Sequence, residues 1–187
     1  LQTVAALLSM QARHAEYSGW TLPLQEAVAR VQSIAAVHNL LSRDNVTSAP
    51  ISSIAKHVVD EASINVVPPG VRIHFDVTTT TIEASSRQAT ILALLINECV
   101  VNAIEHGFAG RDHGTVSVQT DRDDGVICVV IEDDGAGLKD DFDLDRHSKL
   151  GLRIAHTLAT SDLKGSFALT QAPGGGARSV IRFPATI

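Results

Sequence analysis

Aromatic and sulfur-containing residues are scarce in this sequence. Aromatic side chains make up only 4% of its 187 residues against a hydrophobic fraction of 44%, so we expect an aliphatic core of Ala, Val, Ile and Leu. Cys99 and Cys128 are isolated within apolar segments, without the spacing of metal ligands or of a disulfide framework. Both are typical of reduced core residues in a cytoplasmic protein.

Basic residues and long apolar runs are also lacking. Fifteen Lys and Arg stand against 21 Asp and Glu, for a formal net charge of -6. Because nucleic-acid binders normally carry a basic face, we expect no direct nucleic-acid binding. The apolar runs are shorter than the roughly 18 residues that indicate a membrane span, and no signal-peptide pattern opens the chain. These absences favour a cytoplasmic location with no membrane contact in this chain.

The other predicted elements are organised around one predicted helix, over residues 91–108. The sequence of this helix is ILALLINECVVNAIEHGF. Its apolar residues recur at three- and four-residue steps, as a buried helical stripe requires. Glu98, Asn102, Glu105 and His106 follow the same period on another face. Polar side chains on an apolar helix need a partner or a ligand. Taken alone, the pattern fits a core helix with a solvated edge equally well.

The first 42 residues predict two amphipathic helices joined by a short turn, an antiparallel hairpin. Neither helix can bury its apolar stripe alone. A second copy of the chain would complete a four-helix bundle, and docking on the following domain is the alternative. A polar linker at residues 42–50 marks the boundary, so we predict a hairpin domain at 1–45 and a second domain at 46–187.

The second domain alternates predicted helices and strands. Residues 78–86 are interpreted as a polar connection and residues 136–149 as a mobile loop. The predicted helices are 51–65, 91–108 and 151–162, and the predicted strands are 71–77, 115–120, 126–132, 167–171 and 179–183. Segregated helices and mostly antiparallel strands indicate the α+β class, as a two-layer α/β sandwich.

Asp133 ends an apolar strand and is followed by Gly135 and Gly137. A carboxylate there can accept a hydrogen bond from an exocyclic amine such as that of adenine, and glycines let the backbone approach a ligand. Since Asp-Gly pairs also punctuate ordinary turns, the motif is weak by itself.

Other residues favour a phosphate site with a cation. The Asn102 carbonyl oxygen suits Mg²⁺, which shares oxygens with substrate phosphates, and Glu98 can hold a coordinated water. Leu150, Gly151 and Leu152 open the last predicted helix, whose free N–H groups would attract an anion. Lys149 and Arg146 come just before it and are within reach of phosphate oxygens.

Four segments in order resemble a known family. NECVVNAIEHGF is similar to the N box of the GHKL ATP-binding fold, IEDDGAGL to its G1 box, SKLGLRIAHTL to its G2 region, and GGGARSVIRFP to its closing hairpin. The first 43 residues resemble the dimerisation hairpin of the second histidine-kinase dimerisation family. The nearest likeness is to the actinobacterial type of soluble sensor histidine kinase, over nearly the whole chain.

The resemblance implies ATP and Mg²⁺ as ligands. It implies that Asn102 binds Mg²⁺ with Glu98 supporting its water shell, and that Asp133 recognises adenine. His106 would lie near the phosphates.

The three glycines of the boxes have implied roles too. Gly135, Gly137 and Gly151 would shape the pocket and the hinges of its lid.

Three positions depart from the family pattern. Glu105 stands where a basic residue often precedes the N-box histidine, and Lys149 replaces the first glycine of the GxGL motif. Ala177 replaces a threonine often found in the closing hairpin, which removes a polar contact near the adenine. These departures indicate modest nucleotide affinity rather than loss of binding.

The implied function is that of a sensor histidine kinase in a two-component system. It would be a homodimer that transfers the γ-phosphoryl group of ATP to a histidine and then to a response regulator. We expect the acceptor histidine upstream of Leu1, because Leu1 and Gln2 resemble the tail of that box and His38 lies on the apolar stripe. The alternatives are an anti-sigma-factor serine kinase, a nucleotide-binding pseudokinase adaptor, and a purely structural dimerisation module.

Overall fold

The computed structural model describes residues 47–138, 142 and 150–185. The predicted hairpin of residues 1–42, most of the predicted loop of residues 136–149, and Arg146 and Lys149 lie outside the described residues. The described strands are β1 (Ser48–Pro50), β2 (Arg72–Val77), β3 (Glu83–Ser85), β4 (His113–Asp123), β5 (Val126–Asp133), β6 (Ser166–Gln171) and β7 (Ala177–Pro184). The described α-helices are α1 (Ile51–Asn65), α2 (Ser86–Asn102) and α3 (Leu150–Thr157), and π-helical turns follow α2 (Ala103–Gly107) and α3 (Leu158–Asp162).

A five-stranded sheet in the order β2-β4-β5-β7-β6 forms one layer. β2 and β4 are parallel, and the other neighbouring strands are antiparallel. Alternate residues of β5 (Ile127, Val129 and Ile131) are buried, because successive side chains of a strand point to opposite faces. Helices α1 and α2 contact the sheet and each other as the second layer. The predicted two-layer α+β sandwich is thereby confirmed.

Two short strands correct the predicted connections. β1 pairs antiparallel with β3 as a separate two-stranded sheet. Residues 48–50, predicted as part of the linker, thus belong to the folded domain. Likewise, the predicted connection of residues 78–86 contains β3. Strands of three residues are too short to show an alternation in sequence, so their pairing is set by tertiary contacts.

Helix α2 begins at Ser86 rather than at residue 91 because a capping box starts it. The Ser85 hydroxyl accepts a hydrogen bond from the Gln88 N–H at 3.4 Å, and Gln88 Oε1 accepts one from the Ser85 N–H at 2.9 Å. The Gln88 amide also donates to the Pro184 carbonyl oxygen at 3.2 Å, so the cap ties α2 to the end of β7.

The remainder of α2 is buried on more than one side. Leu92, Leu95 and Val100 are fully buried, and Asn97 and Glu98 are also buried, at 4% and 6% exposure. Among the described residues, the stretch Ser86–Gly107 is long and apolar enough to cross a membrane, but 67% of its most apolar window is buried inside the domain. We interpret it as the central helix of the core.

Candidate functional site

A cavity of about 830 Å³ lies between the end of α2 and the sheet. Asn102, His106, Asp133, Gly137 and Leu152, all singled out from the sequence, line it together. The volume falls in the range of roughly 300–1,000 Å³ that is usual for small-molecule sites. The predicted N, G1 and G2 boxes therefore converge on one cavity.

Asp133 supplies a buried carboxylate at the sheet side of the cavity. The residue ends β5 and is 9% exposed. Its Oδ1 accepts a hydrogen bond from the Gly135 N–H at 2.8 Å. Burial raises the pKa of the Asp133 carboxyl above its ordinary value of 3.8, while hydrogen bonds from the Gly135 and Ala177 N–H groups act in the opposite direction.

The sign of this shift has a consequence for stability. A raised pKa means that the folded chain holds the Asp133 proton more tightly than the unfolded chain does. The stabilising contribution is therefore present below about pH 3.8 and is lost as the pH rises through the folded-state pKa. The ionised carboxylate lowers the stability of the fold, which is a common property of binding residues.

Glycines allow the backbone to close around Asp133. A Cβ on Gly107 would lie 2.9 Å from Asp133 Oδ1, and one on Gly135 would lie 2.6 Å from the Gly107 carbonyl carbon. The Ala136 N–H donates to the Gly107 carbonyl oxygen at 2.8 Å and holds this contact. Gly107 lines the cavity, whereas Gly135 does not line it and instead packs against the backbone of Gly107.

Gly107 belongs to a π-helical turn, Ala103–Gly107, that directly continues α2. The Phe108 N–H bonds to the Ala103 carbonyl oxygen at 3.1 Å, five residues back. Such wide turns within helices are frequently found at functional sites. The apolar periodicity predicts one uninterrupted helix here, and Gly107 is not among the predicted site residues.

Gly137 begins the segment that leaves the cavity after the G1 box. Its φ of +74° is in the left-handed region that glycine tolerates, and a side chain there would collide with Gln171. Gln171 Oε1 in turn accepts a hydrogen bond from the Leu138 N–H at 2.8 Å. The first residues of the predicted loop are therefore fixed against the end of β6.

The helix side of the cavity carries Asn102 and His106. Asn102 Nδ2 donates to the Glu98 carbonyl oxygen at 2.7 Å, so its carbonyl oxygen at the other end of the amide is available to a cation. Glu98 is one turn earlier but is buried and does not line the cavity. Glu105 and His106 are both exposed.

The G2 region contributes at the start of α3. Leu152 is buried and lines the cavity, while Gly151 is half-buried and does not. For Leu150 only the backbone is described, as the first residue of α3.

Several lining residues carried no recognisable signal in the sequence. The apolar ones include Ile131, Leu138, Phe142 and Leu169, which are indistinguishable in sequence from ordinary core residues. Cys99 and Ser179 also line the cavity, within hydrogen-bonding reach of each other.

Cys99 is a buried free cysteine in the wall of the cavity. Burial is the main influence that raises the pKa of Cys99 to about 12, so the group stays protonated at neutral pH.

Family comparisons agree with this geometry. Residues 87–187 match the model of the histidine kinase-, DNA gyrase B- and HSP90-like ATPases, and residues 1–65 match a model described as histidine kinase. Both matches confirm the resemblance drawn from the motifs.

Individual proteins resemble the chain over nearly its whole length. It is 37% identical over 189 aligned residues to the sensor histidine kinase PdtaS of Mycolicibacterium smegmatis, which covers 98% of this chain and 37% of PdtaS. The same kinase of Mycobacterium tuberculosis is 35% identical over the same share of each chain. The chain therefore spans about 37% of the length of these relatives.

A solved structure shares the fold. The histidine kinase domain of the blue-light-activated kinase EL346 of Erythrobacter litoralis superposes with a TM-score of 0.69 at 21% identity, covering 98% of this chain and 85% of that one. The ATPase model takes in all three boxes around the cavity and more than half of the sequence. The chain belongs to the histidine kinase-, DNA gyrase B- and HSP90-like ATPase family.

Proposed function

We propose that the chain is the ATP-binding, catalytic portion of a sensor histidine kinase. Residues 46–187 are the catalytic domain, and residues 1–45 form the dimerisation hairpin that pairs with a second copy. The observation that carries the proposal is that the buried Asp133 carboxylate and the Asn102 amide line the same cavity. Membership in an ATPase family supports ATP as the ligand.

The sheet side of the cavity suits an adenine base. The Asp133 carboxylate accepts hydrogen bonds, as recognition of an exocyclic amine requires. Ile131, Leu138 and Leu169 give apolar surface for the flat faces of the ring. The adenine end of ATP is therefore placed at β5 and β7.

The helix side suits the phosphates and a magnesium ion. Mg²⁺ keeps several waters and is commonly held by one or two protein oxygens together with substrate phosphates. The Asn102 carbonyl oxygen fits this role, and Glu98 would orient the water shell from within the helix. The bound cation would neutralise charge on the β- and γ-phosphates.

The remaining phosphate contacts are assigned to the lid. His106 lies beside the phosphates, and Arg146 and Lys149 supply cationic groups from the loop before α3. Gly137 and Gly151 are the hinges of this loop, Leu150 opens α3, and Leu152 lines the cavity at the start of that helix.

Phosphoryl transfer depends mainly on positioning and charge neutralisation, so the residues of this cavity need to bind and orient rather than form covalent bonds. A histidine is the first acceptor of the phosphoryl group, and a response regulator is the second. We place the activity in the cytoplasm.

If Asn102 holds Mg²⁺, replacing it should lower the affinity for ATP only when Mg²⁺ is present. The Asn102→Ala variant should bind ATP at least about tenfold more weakly with Mg²⁺ present, as loss of a group that holds or orients a metal does. With EDTA in place of Mg²⁺, variant and wild type should bind ATP alike. Calorimetry under both conditions gives the comparison, with Asn65→Ala on the exposed end of α1 as the control. Equal losses under both conditions would make Asn102 a packing residue.

The kinase activity itself predicts a phosphohistidine. The full-length protein, incubated with Mg²⁺ and ATP labelled at the γ-phosphate, should acquire label that survives alkali and is lost in acid. Asp133→Asn should reduce the labelling rate at subsaturating ATP. Label that is stable in acid would instead indicate a serine kinase, and absence of label would contradict a kinase.

The anti-sigma-factor and pseudokinase alternatives share this nucleotide site. The match of residues 1–65 to a histidine kinase model favours the kinase over the anti-sigma reading, because the first predicted helices lie in that match. The labelling experiment also separates the kinase from a pseudokinase adaptor.

A further inference from the structure

Ser179 places a buried hydroxyl in an apolar part of the sheet. It is 6% exposed, and its cross-strand partners are Ile131 on β5 and Leu169 on β6. All three residues line the cavity. A hydroxyl among aliphatic side chains is unfavourable unless it is hydrogen-bonded. Among the described lining residues, Ser179 carries the only hydroxyl group.

Cys99 on α2 is the hydrogen-bonding partner of Ser179. Because the pKa of Cys99 is raised to about 12 by burial, its thiol keeps the proton at neutral pH. The contact with Ser179 lowers the pKa of Cys99, which is the effect of a hydroxyl that donates to the sulfur, and sulfur is a weak acceptor. Because a hydroxyl hydrogen can rotate, a stronger acceptor inside the cavity can draw the Ser179 hydrogen away from Cys99.

Ser179 stands close to Asp133 on the same face of the sheet. Ser179 is directly opposite Ile131, and Asp133 lies two residues further along β5. Such diagonal neighbours on antiparallel strands are roughly 7–8 Å apart, with their side chains pointing the same way. The cavity thus presents an acceptor, the carboxylate, beside a donor, the hydroxyl.

This order of acceptor and donor matches one purine edge. Adenine carries an amine, which donates, next to the ring nitrogen N1, which accepts. Guanine has the reverse order, a carbonyl oxygen next to an N1–H group. A guanine carbonyl would face the Asp133 carboxylate without a shared proton, and unpaired polar groups in a buried site are strongly unfavourable.

We propose that Ser179 donates a hydrogen bond to N1 of the adenine base and thereby helps select adenine over guanine nucleotides. The inference rests on the proposed function, since it assigns a further contact within the same ATP site. Ala177, two residues before Ser179 on the same face of β7, has no side-chain group that can make this hydrogen bond.

The test combines a change in the protein with a change in the ligand. Ser179→Ala should weaken ATP binding about three- to tenfold, the effect of losing one neutral hydrogen bond. The analogue 1-deaza-ATP has a C–H group in place of N1 and retains the amine. Wild type and Ser179→Ala should therefore bind 1-deaza-ATP equally well. Calorimetry on the folded chain with Mg²⁺ supplies all four affinities.

Two further variants make the result specific. Ser117→Ala removes a serine from the opposite face of the sheet, next to buried Val116 and Val118, and should bind both ligands like wild type. Ser179→Cys keeps the shape of the side chain but offers a weaker donor, so it should also bind ATP less tightly than wild type. It takes the place of Ser179→Ala in the test if that variant does not fold.

The possible outcomes separate the role of Ser179 from the proposed ATP-binding function. Equal losses for ATP and 1-deaza-ATP, or no loss for either, would overturn the role of Ser179 and leave the ATP site intact. Failure of the wild-type chain to bind ATP at all would overturn the proposed function and this contact with it.

Discussion

Replacing Asp133 with asparagine should weaken ATP binding by about ten- to a hundredfold. The carboxylate accepts hydrogen bonds within a buried site, and a hydrogen bond to a charged group contributes roughly 1.5–3 kcal/mol. An asparagine amide would turn either its weaker oxygen acceptor or its N–H donors toward the adenine amine. Calorimetry with a non-hydrolysable ATP analogue and Mg²⁺ measures the change.

Asp134 provides a matched control for this substitution. Its side chain is exposed and accepts a hydrogen bond from the Thr115 N–H at 2.8 Å, which an asparagine oxygen can also accept. Asp134→Asn makes the same change of charge one residue away and should leave the affinity within about twofold of wild type, as expected for an exposed site. Comparable losses in both variants would indicate a general charge effect, and unchanged affinity in Asp133→Asn would place the adenine elsewhere.

The pH dependence of binding should report the same carboxylate. Since burial raises the pKa of Asp133 above 3.8, ATP affinity should fall as the pH is lowered through that raised value, because the protonated acid is a poorer acceptor. The Asp133→Asn variant should lack this part of the pH dependence.

Gly135→Ala should both destabilise the domain and weaken nucleotide binding. The new methyl group would meet the Gly107 backbone, with the carbonyl carbon 2.6 Å away, and neither backbone can move independently of Asp133. Overpacking of this kind typically costs about 1–3 kcal/mol. Urea denaturation should show a lower midpoint, and calorimetry should show weaker ATP binding at temperatures where the variant is folded.

Gly174 is the control for this prediction. It lies in the turn between β6 and β7, and a Cβ there would have nothing within 4 Å. Since its φ is not in the left-handed region, Gly174→Ala should be neutral or stabilise the fold by up to about 1 kcal/mol. If Gly135→Ala were as stable as Gly174→Ala, the close packing of the G1 box on the π turn would not be needed for folding.

Periodicity in the sequence predicted the central elements of the fold and the residues that converge on the cavity. The helical repeat of α2 placed Asn102 and His106 on one helix, and the apolar run of β5 ended at Asp133. These patterns are visible because long elements with one buried side repeat their apolar residues regularly. The helix α1 was predicted with the bounds that the structure has, Ile51–Asn65.

Other features depend on contacts that no local pattern encodes. The Ser85–Gln88 capping box is present in the sequence, but the preceding polar run obscured it, so α2 was predicted to begin too late. The position of Ser179 in the cavity follows from its register with Ile131 and Leu169. The need for glycine at position 107 follows from its contact with the Asp133 carboxylate, which is distant in the sequence.

The geometry of the site depends on the exact number of residues in the π-helical turn, Ala103–Gly107, that follows α2. An α-helix advances by about 100° per residue, so removing one residue from Ala103–Gly107 would restore regular winding and swing the following residues around the helix axis. Gly107 would no longer meet the Asp133 carboxylate, even with every remaining side chain unchanged. A single-codon deletion here would therefore be more damaging than many substitutions.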